Sequence, residues 1–131
     1  MLLEKFSLSK NKRRIIAKNQ DLKVVIRPIE INEEKETLFE RHKQRFDHSV
    51  PFSVYDFLSF DAAKVPGEAL AVSVYKDEKL VAASFFDVGE TAISSIYAMF
   101  APEESSRSLG IFTMLAEIDF ASRNGKEFYY Q

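Results

Sequence analysis

The stretch "ALAVSVYKDEKLVAASFFDVGETAISSIYAMF", Ala69–Phe100, holds three runs rich in β-branched and aromatic residues. They are parted only by Asp77-Glu78 and Val88-Gly89-Glu90. Connections that short join antiparallel neighbours, because a parallel return needs a crossover of about a dozen residues or more. The stretch is therefore predicted to be a three-stranded meander. Its middle run, "KLVAASFFD", is apolar in both alternating sets: Val81, Ala83 and Phe85 in one, Leu80, Ala82 and Phe86 in the other. A strand apolar on both faces is covered on both faces.

Downstream, "SSRSLGIFTMLAEIDFASRNG" (Ser105–Gly125) reads as a loop turning into a helix that stops at Asn124-Gly125. Apolar residues from Leu109 to Ala121 cover most of the circumference, which predicts a largely buried helix in which Glu117 and Asp119 stand out. "KEFYYQ" (Lys126–Gln131) reads as a strand. A right-handed strand–helix–strand crossover places it parallel to the last meander strand. Upstream, "DLKVVIRPI" (Asp21–Ile29) reads as a strand closed by Pro28. "NEEKETLFERHKQRF" reads as a helix, with Asn32 as N-cap and Glu33 and Glu34 where the dipole favours acids. "SVYDFLSF" reads as a second short helix, and "AKVPGEA" as a loop.

The resulting class is α+β: a mostly antiparallel central sheet with helices on both faces. The element order resembles the GNAT acyltransferase fold up to its fifth strand. That fold continues with a further helix and two strands, so the chain is expected to be truncated, leaving an exposed aromatic edge at its final strand. The expected layout is a basic N-terminal arm, residues 1–20, followed by one domain, residues 21–131.

Composition narrows the function classes. A chain of 131 residues with 46% hydrophobic residues can build a core. The absence of Cys excludes disulfides and thiolate metal sites, and two histidines, His42 and His48, are too few for a His-rich one, so no metal is expected. No apolar run approaches the roughly 20 residues needed to span a bilayer. The start, "MLLEKFSLSKNKRR", lacks secretory features, so a cytoplasmic protein with no membrane partner is expected. The net charge of −2 is uneven. Lys10, Lys12, Arg13, Arg14 and Lys18 cluster without an acid among them. Such a cluster attracts phosphates, or is a solvated arm.

The loop "SSRSLGIF" poses the chemical question. In the acetyltransferase fold this loop holds CoA pyrophosphate on backbone N–H groups at a helix N-terminus. The motif is Arg/Gln-x-x-Gly-x-Gly/Ala. Arg107 and Gly110 fit it, whereas Phe112 stands at a position that demands a small residue.

A second resemblance accommodates that phenylalanine. Ser94-Ser95-Ile96-Tyr97, Ser108-Leu109-Gly110-Ile111-Phe112, Glu117-Ile118 and Tyr129-Tyr130 occur in the order and spacing of one family's motifs. With "KRRIIAKNQDL" upstream, they resemble the C-terminal domain of arginyl-tRNA–protein transferases, including the bacterial leucyltransferases acting on N-terminal Asp or Glu. His48 is a weaker match to a family histidine. That family's Cys-rich N-terminal domain is not in this chain, and "AMFAPEES" replaces its aromatic-rich acidic loop.

The resemblance implies transfer of an aminoacyl group, Arg or Leu, from a tRNA to the N-terminal amine of a protein or peptide. No cofactor is implied besides the aminoacyl-tRNA donor. The ester is already activated, so the protein must deprotonate an amine of pKa about 8, orient it and stabilise an oxyanion. On this reading Glu117, Tyr97 and Tyr129 are the catalytic candidates. Arg107, Ser108, Leu109, Gly110 and Ile111 are the donor-binding loop, and Lys12, Arg13 and Arg14 are tRNA contacts. The bland counterparts are a Glu117 paired with Arg or Lys or partly exposed, core tyrosines with a satisfied hydroxyl, and Ser94 and Ser95 as packing or hydrogen-bonding residues. Two alternatives stay open: an acetyl-CoA-dependent N-acetyltransferase, and a non-catalytic binding domain. Whether the chain forms a homodimer also stays open.

Overall fold

A computed structural model of the chain describes residues 1–29, 32–43 and 68–131. His48, the segment "SVYDFLSF" and most of the loop "AKVPGEA" lie outside the described residues. The described elements run α1 (Lys10–Lys18), β1 (Lys23–Pro28), α2 (Glu33–Lys43), β2 (Glu68–Lys76), β3 (Lys79–Val88), β4 (Ala92–Phe100), a 3-10 segment (Pro102–Arg107), α3 (Leu109–Arg123) and β5 (Phe128–Tyr130). They build one five-stranded sheet in the order β1-β2-β3-β4-β5. Pairs β1–β2, β2–β3 and β3–β4 are antiparallel, and β5 runs parallel to β4. The meander and the parallel crossover are as the short connectors and the helix predict.

β3 is buried on both faces and separates two cores. On one side Ala82 and Phe86 pack with Leu109, Ile118 and Ala121 of α3. On the other, Ala83 and Phe85 pack with Leu38 and Phe39 of α2. Each fully buried Phe contributes roughly 2–3 kcal/mol by burial. Two bulges reset the alternation. Val74 pairs with Ala82 and Tyr75 with Leu80, so Val81 is an extra residue. Leu80 consequently joins the α2 core and Val81 the α3 core, the reverse of strict alternation. Likewise Phe85 pairs with Tyr97 and Phe86 with Ser95, which leaves Ile96 as the extra residue in β4. Ser95 therefore shares the α3 face with Phe86, while Tyr97 shares the α2 face with Phe85.

The N-terminal residues differ from the expected arm. Ser9 caps α1 by accepting from Lys12 N (3.2 Å), and Ile15 is buried. α1 packs on α3. The very start of the chain lies along β5: Met1 N donates to Tyr129 O (3.1 Å), Tyr129 N to Met1 O (3.0 Å) and Leu3 N to Glu127 O (2.9 Å). The expected bare edge at β5 is thus covered from Glu127 to Tyr129, because a non-local segment supplies the missing partners. Asn32 caps α2 as predicted, its Oδ1 accepting from Lys35 N (3.0 Å). No helix among the described residues is long and apolar enough to cross a membrane.

Candidate functional site

Parallel strands β4 and β5 both point their carboxyl ends toward the N-terminal half of α3, the place where open α/β sheets leave a crevice. β4 and β5 pair only from Ala92–Phe128 to Ser94–Tyr130. Beneath this crevice lies a buried polar cluster. Glu117 on α3 is 1% exposed, and Tyr129 on β5 is 3% exposed. The Tyr129 hydroxyl donates to Glu117 Oε1 at 2.7 Å. Among the described residues no cation joins them, so Glu117 is there neither an Arg or Lys partner nor partly exposed. Burial pushes the Glu117 carboxyl above its ordinary range, against the bonded Tyr129 hydroxyl and the hydroxyls of Ser84 and Ser95, which favour its charged form. Burial and the neighbouring Glu117 charge both raise the Tyr129 phenol.

Tyr97 does not join this pair. The Ile96 bulge turns it to the α2 face, where its ring lies 6.1 Å from Phe39 and 6.0 Å from His42. His42 is buried there with Nδ1 accepting from Phe100 N at 3.2 Å.

The loop before α3 is held by charge. Arg107 donates to both Asp21 oxygens (2.9 and 3.0 Å) and through Nε to Glu104 (2.8 Å). Asn19, buried, donates to Ile15 O (2.8 Å) and to Arg107 O (2.9 Å). Glu104 also pairs with Lys76, and Glu103 pairs with Arg41 and Lys79. Arg41, aided by Lys79, holds the Glu103 carboxyl down at about 2. Glu103 and Glu104 therefore pin the loop to α2 and to the β2–β3 hairpin. Arg107 is engaged by carboxylates rather than presented to a ligand.

The remaining loop residues divide by orientation. Ser108 takes the left-handed conformation at φ 56°, and its Oγ lies 3.4 Å from Lys18 Nζ, which also donates to Ser106 O at 2.8 Å. Leu109 is in the core. Ile111 is exposed. Gly110 sits in the first turn of α3 without a positive φ, and a Cβ added there would meet nothing within 4 Å. Its small size is therefore no demand of the helix entry, and it leaves open space beside the exposed Ile111.

The basic helix reaches the same region. Lys12 Nζ lies 4.9 Å from the Phe6 ring centre. Lys12 lines a cavity of about 380 Å3 with Phe6, Met114, Ile118, Tyr129 and Tyr130. Arg13 and Arg14 are exposed on α1. The structure thus bonds Tyr129 to Glu117 and places Tyr129 with Lys12 on one cavity, keeps Gly110 and Ile111 open, and separates Tyr97. Lys18, Asn19, Asp21 and Ser95, named in the sequence only within the basic run and the motif blocks, enter the site, and Ser84 enters it without having been singled out. The signal for Ser84 is a lone hydroxyl in an otherwise apolar strand.

The family model for "Arginine-tRNA-protein transferase, C terminus" matches residues 34–131. The chain belongs to this family. Curated relatives named aspartate/glutamate leucyltransferase include one from Campylobacter jejuni, 29% identical over 99% of this chain and 56% of the relative. One from Xanthomonas campestris is 29% identical over 98% of the chain and 54% of the relative. One from Leptospira interrogans is 24% identical over 98% and 52%. The chain spans about half the length of the curated relatives it matches. Among solved structures, L-PGS from Bacillus licheniformis superposes with a TM-score of 0.59 at 14% identity, covering 97% of this chain and 42% of that one, a likeness of fold. In this chain the Ser-Leu-Gly-aromatic block forms the first turn of α3, and Glu117 and Tyr129 form the buried cluster, while Tyr130 is exposed.

Proposed function

We propose that the chain is the catalytic domain of an aminoacyl-tRNA–protein transferase that moves a leucyl group to an N-terminal Asp or Glu. The observation that carries this reading is the Glu117–Tyr129 pair, buried with no cation partner among the described residues, its Tyr129 lining a cavity that Lys12 also lines. The tRNA 3′ end enters at the carboxyl ends of β4 and β5, with its phosphates on Lys12, Arg13 and Arg14. The acceptor ammonium loses a proton through the Tyr129 hydroxyl to Glu117. The amine nitrogen then bonds to the ester carbonyl carbon, and the bond to the ribose oxygen breaks. That oxygen takes up the Glu117 proton as it leaves, and the second proton that the nitrogen sheds on becoming an amide passes back to Glu117 and on to water. Backbone N–H groups of the open α3 turn face the developing oxyanion.

Leucine is favoured over arginine by the relatives' names and by the cavity. Phe6, Met114 and Ile118 offer apolar contact, and among the described residues no Asp or Glu side chain lines the cavity to pair with a guanidinium. The test is transfer of labelled leucine or arginine from charged tRNA to peptides beginning with Asp, Glu or Ala. Leucyl transfer to the acidic peptides is expected, and transfer of neither amino acid overturns the reading. Acetyl-CoA is expected to leave thermal stability unchanged, since Arg107, on which that alternative rested, is engaged by Asp21 and Glu104.

Two further outcomes are expected. Replacing Lys12, Arg13 and Arg14 together with Ala lowers the slope of log affinity for charged tRNA against log salt by about 2, since each phosphate contact contributes roughly 0.7–0.9. An unchanged slope removes α1 from the interface. Gly110→Ala stabilises the fold by about 0.5–1 kcal/mol, because Ala is the better helix former and its Cβ meets no neighbour. Thermal melts measure this, and the same variant weakens tRNA binding about tenfold if the donor approaches the α3 turn closely.

A further inference from the structure

Ser84 lies in the middle of β3 and is wholly buried. Its neighbours in alternation, Ala82 and Phe86, pack toward α3, so its side chain faces that helix. Among the described residues, its Oγ is a buried side-chain atom without a completed hydrogen bond. Leaving a buried hydroxyl unpaired costs about 1–3 kcal/mol, whereas Ala in its place would cost nothing of that kind. The group it faces is Glu117, on whose charged form it acts together with Tyr129 and Ser95. β3, β4 and β5 thus each send one hydroxyl toward a single carboxylate. β2, α1 and the Leu3–Lys5 turn also pack on α3 but bring no charged group to bear on Glu117, and Tyr129 is the titratable group that does.

We propose that Ser84 is a positioning residue for Glu117: its hydroxyl donates to the carboxylate when Glu117 is ionised and turns to accept from it when Glu117 carries the proton. A hydroxyl is suited to this because it is donor and acceptor at once. In this structure the Ser84 hydroxyl completes no bond, which leaves it free to turn toward the carboxylate in either state. Ser84 thereby lets Glu117 take up and release a proton without leaving Tyr129. The functional half of this proposal rests on reading Glu117 and Tyr129 as the proton-handling pair.

The test uses the chain labelled with carboxyl-13C glutamate, with the Glu117 signal assigned from Glu117→Gln. Ser84→Ala is expected to raise the titration midpoint of Glu117 by about one pH unit, through loss of a donor to the anion. Ser84→Cys, of similar size and a weaker donor, is expected to fall between, and it carries the test alone where the alanine variant does not fold. An unmoved midpoint overturns the role of Ser84, whatever the transfer activity does. The acid limb of the pH–rate profile for transfer is expected to move with the midpoint. If the midpoint moves and the limb does not, Ser84 still positions Glu117, and the reading of Glu117 as a proton carrier fails instead.

Discussion

Glu117→Gln is expected to lower aminoacyl transfer by about 100-fold or more while making the fold more stable. The first effect follows from removing the proton acceptor behind Tyr129, since positioned acid–base groups contribute roughly 10²–10⁴-fold. The second follows from burial. Glu117 is all but inaccessible and has no cationic partner among the described residues, so its charged form is disfavoured and its carboxyl is raised. The folded state then binds more protons than the unfolded one between 4.5, the ordinary value, and the higher folded value. Over that window wild-type stability falls as pH rises, and above it the full penalty is present. Gln does not titrate. It accepts from Tyr129 through Oε1 and donates to Ser84 Oγ through its amide, which supplies the partner that hydroxyl lacks. A gain of about 1 kcal/mol, or roughly 4 °C in Tm, is expected above neutral pH. The gain should fade as pH falls toward 4.5. Paired melts and transfer assays across pH measure both effects. A variant that is slower and less stable at every pH would make Glu117 a structural group. One that transfers at the wild-type rate would remove it from the reaction.

Much of the fold was legible because the relevant signals are local. Two- and three-residue connectors between strand-like runs allow only antiparallel neighbours. The doubly apolar "KLVAASFFD" could only be a strand covered on both faces. What local pattern could not show were the bulges. Whether Ile96 continues the alternation of β4 or is bulged out depends on packing against β3, and "AISSIYAMF" reads equally well either way. That one residue decides that Tyr97 leaves the site and that Ser95 enters it. The same limit applies to β5: its edge looked bare because the segment that covers it, Met1–Leu3, lies at the other end of the chain.

The candidate site divides along the same line. Glu117 was conspicuous as an acid on a helix apolar almost all round, and the Tyr-Tyr run marked β5. Their contact at 2.7 Å follows from the parallel β4–β5 pairing that the crossover rule predicts. Glu103 and Glu104, acids just before a helix N-terminus, read locally as favouring an empty helix end and opposing phosphate. Their partners Arg41, Lys76, Lys79 and Arg107 come from α2, the β2–β3 hairpin and the loop itself, so their role as anchors is a property of the assembled fold. Arg107 illustrates the hazard of a short motif. R-x-x-G fixes the spacing to the glycine, but not the carboxylate of Asp21, 86 residues away, that takes the guanidinium.

Arg107→Ala is accordingly expected to destabilise the fold rather than to weaken one phosphate contact. The substitution leaves Glu104 with Lys76 as its remaining cation, and removes the bidentate bond to Asp21 that ties the end of α1 to the loop. Most of the Arg107 side chain is shielded from solvent, whereas Asp21 is more than half exposed, so the Glu104 side of the clamp carries more of the effect. A loss of about 2 kcal/mol is expected, or roughly 8 °C in Tm. Arg107→Lys should recover only part, because an ammonium cannot hold Asp21 in bidentate fashion and Glu104 at once. Acid titration supplies an independent reading. Arg107 holds the Asp21 carboxyl below its ordinary value; at Glu104 burial opposes the shift, but Arg107 and Lys76 prevail. Both groups then bind fewer protons in the folded state, so their contribution is present above the ordinary carboxylate range and is lost as pH falls through the folded values. The melting curve of the Ala variant should therefore depend less on pH below about 4 than that of the wild type. If Arg107 instead holds donor phosphate, Arg107→Ala will melt like the wild type and lose tRNA affinity, with a shallower salt slope. If it is a clamp, the melt falls first, and the salt slope of whatever binding remains is unchanged.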